Sequence, residues 1–184
     1  MKPLQTSSGD LLADRRADYA EMLFGSGEAA AAAEIMVGAL EQAPGWALGW
    51  FRLGEMHEAT GALDAAAAAW RMALELDAAD HAGAALKLEL IGRSEKSSAP
   101  PSPFVEALFD GYARSFEASL VGKLGYRAPA LLAALIERHA RRRFALAIDL
   151  GCGTGLMGER LRPFCDRLEG VDISAGMLRI ARAK

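Results

Sequence analysis

Cysteine is scarce in this chain: 184 residues hold two, Cys152 and Cys165, with no C-x-x-C pair and no companion histidine cluster. That argues against a disulfide scaffold or a zinc site and fits a reducing compartment, so the cytoplasm is expected. Long apolar runs are missing as well. No stretch reaches the roughly 18 apolar residues of a membrane span. The opening residues, Met1 to Ser8, lack the apolar centre of a secretory signal, so no membrane partner is expected. Strong charge of one sign is also absent. A formal net charge of -3 weighs against nucleic-acid binding by the chain as a whole.

What is present divides in two. Apolar residues make up 52% of the chain, much of it alanine, which favours helices and lets them pack closely. Residues 1–92 carry 6 Lys/Arg and 14 Asp/Glu, a balance of -8; residues 93–184 carry 15 and 10, a balance of +5. Such a split implies two units with different jobs.

The acidic half repeats itself. Shifting residues 13–46 by 34 onto 47–80 brings Gly27 onto Gly61, Ala32 onto Ala66, Ala39 onto Ala73, Met36 onto Trp70 and Ala20 onto Gly54. Each unit reads as two helices, over 13–25 and 28–42, then 47–60 and 62–76. Gly27 and Gly61 follow the first helix of each pair, where a left-handed residue ends a helix at least cost. Small Ala20, Gly54, Ala32 and Ala66 let paired helices approach, and Leu23, Met36, Trp50, Leu53 and Trp70 fill the space between.

This pattern resembles the tetratricopeptide repeat (TPR). The second unit is the better match, and it departs at Ala78, where the repeat usually has proline. The alternative is an alanine-rich helical bundle whose spacing arose by chance. On the repeat reading, residues 81–92 form a capping helix. Residues 93–103, rich in serine, proline and charge, read as a solvated linker.

Residues 104–116 show a helical apolar stripe, and a second amphipathic helix is expected over 128–140. His139, Arg141, Arg142 and Arg143 close it, either complementing the helix dipole and nearby carbonyls or forming an anionic-substrate patch. Phe144 to Leu150 is a short apolar run that reads as a buried parallel strand. Gly151, Cys152, Gly153, Thr154 and Gly155 then turn into a helix over 156–161. A second strand is expected over 167–171, ending at Asp172, and a further helix over 175–183. This β-α-β-α order starts a doubly wound, Rossmann-like α/β sheet.

Such a turn gives a ligand access to the main chain. Glycines take backbone angles closed to other residues and leave room beside them. An acid about 20 residues on, at the end of the second strand, can accept hydrogen bonds from ribose hydroxyls. Gly151 to Asp172 is 21 residues, which suits an adenosine-containing ligand. Gly153 to Gly158 also satisfies G-x-G-x-x-G, the weak dinucleotide signature, so an NAD-type ligand stays open. Asp149 at the strand end favours a cationic ligand over a pyrophosphate.

Asp149-Leu150-Gly151-Cys152-Gly153-Thr154-Gly155 resembles motif I of class I methyltransferases, and Gly170-Val171-Asp172-Ile173-Ser174 with Met177-Leu178 resembles their motif II. The resemblance implies S-adenosylmethionine as cofactor. Asp149 would lie near its ammonium end, and the backbone of Gly151, Cys152, Gly153 and Gly155 would approach it. Asp172 would hold the ribose, and Ile173 and Met177 would border the adenine. Phe109 to Phe116, followed by Leu124 to Pro129, is similar to the helical lid of bacterial methyltransferases that carry N-terminal tetratricopeptide repeats. There Tyr112 would touch the cofactor, or would be a packing residue like Phe116.

The expected architecture is a TPR-like helical domain over 1–92, a linker over 93–103, and the first part of a class I methyltransferase domain over 104–184. The resemblance implies about five further strands in a complete domain, bearing the catalytic residues and acceptor pocket. The 184 residues alone are therefore expected to have little or no methyl-transfer activity and to dimerise or hold the region after about 143 loosely. The methyl acceptor stays open, and the repeats would recruit a protein or peptide. The competing reading is a helical interaction module with a non-catalytic methyltransferase remnant.

Overall fold

The computed structural model describes residues 5–95, 99–139 and 142–184, and the chain divides into two compact units, Met1–Phe104 and Val105–Lys184. Residues 96–98 of the linker stretch and Arg141 of the basic cluster lie outside the described residues, as do the first four residues considered for a signal.

In the first unit, helices α1 (Leu11–Gly25), α2 (Ala29–Gln42), α3 (Ala47–Ala59), α4 (Leu63–Leu76) and α5 (Ala84–Leu90) pack each on the next. Asp10 starts α1 by accepting the amides of Leu12 and Ala13, donors a helix's own ladder leaves unpaired. Gly27 (φ +90°) and Gly61 (φ +76°) take the left-handed turns between paired helices. Ala20, Ala32 and Ala66 are fully buried, as are Met36 and Trp70. Gly54 shows why the small positions matter: a Cβ there would sit 2.2 Å from the Trp70 indole nitrogen, which donates to the Phe51 carbonyl at 3.1 Å.

The first helix of each pair is also tied to the next by charge. Arg52 on α3 donates to Glu21 on α1 at 2.6 Å, and Lys87 on α5 reaches Glu58 on α3 at 2.7 Å. The last helix is shorter than the expected 81–92. Buried Asp80 accepts the Ala84 and Ala85 amides, and Gly83 turns left-handed (φ +82°), so the helix starts only at Ala84. Its Ala84 and Leu88 are buried in the cluster that holds Trp70.

Helix α6 (Ser102–Tyr112), whose residues from Val105 on belong to the second unit, has Pro103 in its first turn, where proline's missing amide costs nothing. A 3-10 turn (Ala113–Ser115) and a wide π turn (Ala118–Lys123) follow, then α7 (Ala128–His139), β1 (Phe144–Leu150), α8 (Leu156–Leu161), β2 (Cys165–Val171) and α9 (Ala175–Ala181). The strands run parallel, in register from Phe144 opposite Cys165 to Leu150 opposite Val171, with α8 as the crossover.

β2 starts two residues before the expected 167. Arg143 explains part of this, since its guanidinium donates to the carbonyls of Pro163 and Cys165 and pairs with Asp166 at 3.0 Å. The carbonyls that Arg143 serves are those before and at the start of β2, not those at the end of α7.

β1 does not match the expectation of a buried strand. Phe144, Leu146, Ile148 and Leu150 are 45–79% exposed. Among the described residues β1 pairs only with β2. The helix α8 packs against both strands, with Gly158 over Leu168 on the face opposite those four side chains. Alternating side chains project to opposite faces of a strand, so one apolar row of β1 has no layer over it among the described residues.

Candidate functional site

The turn after β1 is built on positive backbone angles. Gly151 (φ +76°), Gly153 (φ +52°) and Gly155 (φ +81°) all occupy the left-handed region, which side-chain-bearing residues enter only at a cost. Hydrogen bonds hold it to the end of β2: the amides of Gly151 and Cys152 donate to the Val171 carbonyl at 2.8 and 3.0 Å. The Gly153 amide donates to Asp172 Oδ2 at 2.8 Å, and the Ser174 amide to Asp172 Oδ1 at 2.9 Å. Asp172 therefore shapes the turn as well as facing the space beside it. Each carboxylate oxygen keeps a further lone pair for a ligand.

The three glycines have different surroundings. Beside Gly151 there is open space, and beside Gly153 a Cβ would meet only Phe116, at 3.8 Å. At Gly155 a Cβ would press on Ala181 of α9, 3.2 Å from its Cβ and 3.3 Å from its Cα. Two glycines thus open the main chain outward, and the third lets a helix pack close. The same division of labour serves dinucleotide-type turns.

Gly151, Gly153, Asp172, Ile173 and Met177 line one cleft of about 510 Å³. Its remaining wall is Val171 with Phe109 and Phe116, which stand edge to face with ring centroids 6.4 Å apart. Tyr112, singled out in the sequence, does not line this cleft; it packs edge-on against Phe116 at 5.7 Å and is 39% exposed. The apolar stripe over 104–116 held both phenylalanines but gave no reason to prefer them to Tyr112, because a 3-10 turn after Tyr112 breaks the α-helical spacing.

Asp149, Cys152 and Gly155 line a second cleft, of about 520 Å³. Residue parity decides this, since Asp149 projects to the face of β1 that α8 covers. Its Oδ2 is shielded from solvent and has no hydrogen-bond partner among the described residues. Burial, and secondly the charge of Asp172, push the Asp149 carboxyl above its usual range. Burial, then Asp149 and Asp172, likewise raise the Cys152 thiol, which disfavours the thiolate a nucleophile needs. Cys152 instead packs on Gly170, where a Cβ would lie 2.9 Å from its sulfur.

The cleft is chemically one-sided. Asp172 is the one charged residue lining it, and no lysine or arginine does so among the described residues. Aromatic and apolar walls with a single carboxylate suit a ligand with a flat ring, hydroxyls and positive charge.

A stretch of 63 residues is 41% identical to dTDP-3-amino-3,6-dideoxy-alpha-D-glucopyranose N,N-dimethyltransferase of Streptomyces fradiae. The similarity supports a methyltransferase. The stretch is 34% of this chain and 24% of that enzyme, so the match spans about a quarter of the relative's length. No family model matches the chain, and no solved structure does. Among the described residues no helix is long and apolar enough to cross a membrane, and no three His, Cys, Asp or Glu side chains come together as a metal ion would need.

Proposed function

We propose that the second unit carries the S-adenosylmethionine-binding part of a class I methyltransferase. One observation carries the reading: a three-glycine turn opens onto a cleft in which Asp172, at the end of the neighbouring parallel strand, is the one charge among the described residues. The residues fit the cofactor. The open space at Gly151 admits a ligand against the main chain, and Asp172 has lone pairs left for ribose hydroxyls.

When bound, S-adenosylmethionine supplies a methyl group made electrophilic by its sulfonium. The chain's own part is to orient it: Gly153 and Asp172 fix the ribose end, and Phe109, Phe116 and Met177 offer apolar surface to the adenine. Positioning of this kind supplies much of the rate in a transfer between two bound reactants. The helical repeats of the first unit would recruit the substrate or a protein partner. Because the relative methylates an amine, amines are the first acceptors to test.

Titration calorimetry of the chain with S-adenosylmethionine and, separately, with NAD tests the reading. Binding of the first and not the second is expected, with Asp172→Ala weakening it at least about tenfold, the scale of a lost charged hydrogen bond. Preference for NAD, or no loss in the Asp172 variant, would overturn it.

A further inference from the structure

α9 begins at Ser174, which is fully buried and caps the helix by accepting the Met177 amide at 3.0 Å. The Ser174 hydroxyl proton goes elsewhere, to Asp110 Oδ1 on α6 at 2.5 Å, and the same oxygen accepts the Gly176 amide at 2.8 Å. These two donors hold the Asp110 carboxyl below its usual range, Ser174 contributing most. Gly176 makes the approach feasible: a Cβ there would lie 3.0 Å from Asp110 Oδ1 and 3.2 Å from Ala113 Cβ.

Asp110 is therefore the last link of a continuous path. Gly153 donates to Asp172, Asp172 accepts from Ser174, and Ser174 donates to Asp110. The residue before Asp110 is Phe109, which with Phe116 walls the cleft that Asp172 faces. The glycine turn and its acid are thus joined to the helix that bears the aromatic wall through one residue, Ser174, whose amide donates to Asp172 and whose buried hydroxyl donates to Asp110.

We propose that Asp110 is a positioning residue, latching the aromatic wall of Phe109 and Phe116 to the start of α9 so that a ligand held at Asp172 also fixes that wall. Only the ligand part of the proposal rests on the S-adenosylmethionine reading.

Hydrogen exchange of the full chain, with and without S-adenosylmethionine, tests it. In Asp110→Ala, exchange over 105–116 is expected to speed up at least about tenfold, since two hydrogen bonds to a carboxylate are lost. Exchange in β1 and β2 should stay as in the wild type, which shows that the unit is folded. Asp110→Asn keeps an oxygen acceptor and should restore most of the protection. Added S-adenosylmethionine should slow exchange over 105–116 in the wild type and in Asp110→Asn, but much less in Asp110→Ala, a difference that a merely structural contact does not produce.

Unchanged exchange over 105–116 in Asp110→Ala, or equal ligand-induced protection there, would overturn the latch. Loosening in Asp110→Ala alongside a wild type that binds no S-adenosylmethionine would uphold the latch and remove the cofactor reading instead.

Discussion

Alanine placed at Gly151 and, separately, at Gly155 gives two variants with the same backbone penalty and different surroundings. Both residues have φ near +80°. Holding alanine there costs about 1–2 kcal/mol in either case. At Gly151 nothing else is added, because the new methyl group enters open space. At Gly155 it meets Ala181 at 3.2 Å, and part of that obstacle is backbone. Overpacking of this kind adds about 1–3 kcal/mol, for a total of about 2–5 kcal/mol.

Gly151→Ala should therefore leave the second unit folded while placing a methyl group where a ligand is to lie against the main chain. Gly155→Ala should unfold that unit first. The assay can separate the units: Trp46, Trp50 and Trp70 all lie in the first, so tryptophan fluorescence follows it, while far-ultraviolet circular dichroism follows both. Urea unfolding should show an early dichroism loss for Gly155→Ala without a fluorescence change. Calorimetry should show S-adenosylmethionine affinity falling at least about tenfold for Gly151→Ala, as the methyl group displaces ligand contact. Equal destabilisation by both substitutions, or unimpaired binding by Gly151→Ala, would refute the assignment of different jobs to the two glycines.

Gly54→Ala should destabilise the first unit by about 1–3 kcal/mol, because the new Cβ collides with the buried Trp70 ring; a lower urea midpoint by fluorescence, with S-adenosylmethionine affinity unchanged, is the expected result. Asp149 makes stability depend on pH. Its folded-state pKa is raised, so the folded chain keeps a proton that the unfolded chain releases, and stability falls as pH rises through the range above 3.8. Asp149→Asn should remove that fall, which thermal melts at a series of pH values will show. Arg143→Met removes the donors to Pro163, Cys165 and Asp166; because Arg143 is exposed, a loss of only about 1 kcal/mol is expected, seen as faster hydrogen exchange at the start of β2.

Local patterns carried much of this in the sequence. The offset of 34 residues marked four helices and the glycines between them, because a helix end and a close helix contact each demand a particular kind of residue at a particular place. The glycines at 151, 153 and 155 marked the turn for the same reason: their left-handed angles are a property of the chain at those positions. Where the sequence reading went astray, the deciding partner lay far along the chain. β1 was expected to be buried because its residues are apolar, yet whether a strand face is covered depends on a second layer.

The cleft divides along the same line. The sequence by itself determined the turn, the strand before it and the acid 21 residues on, since each follows from short-range backbone chemistry. Tertiary structure decided the rest. Strand alternation sent Asp149 away from the cleft that Asp172 lines, and packing brought Phe109 and Phe116 to its wall while Tyr112, edge-on against Phe116, does not line it. A hydroxyl and an amide 64 and 66 residues from Asp110 found its carboxylate. Contacts of that reach have no periodicity to leave in a sequence, because they are set by how elements pack and not by how any one of them forms.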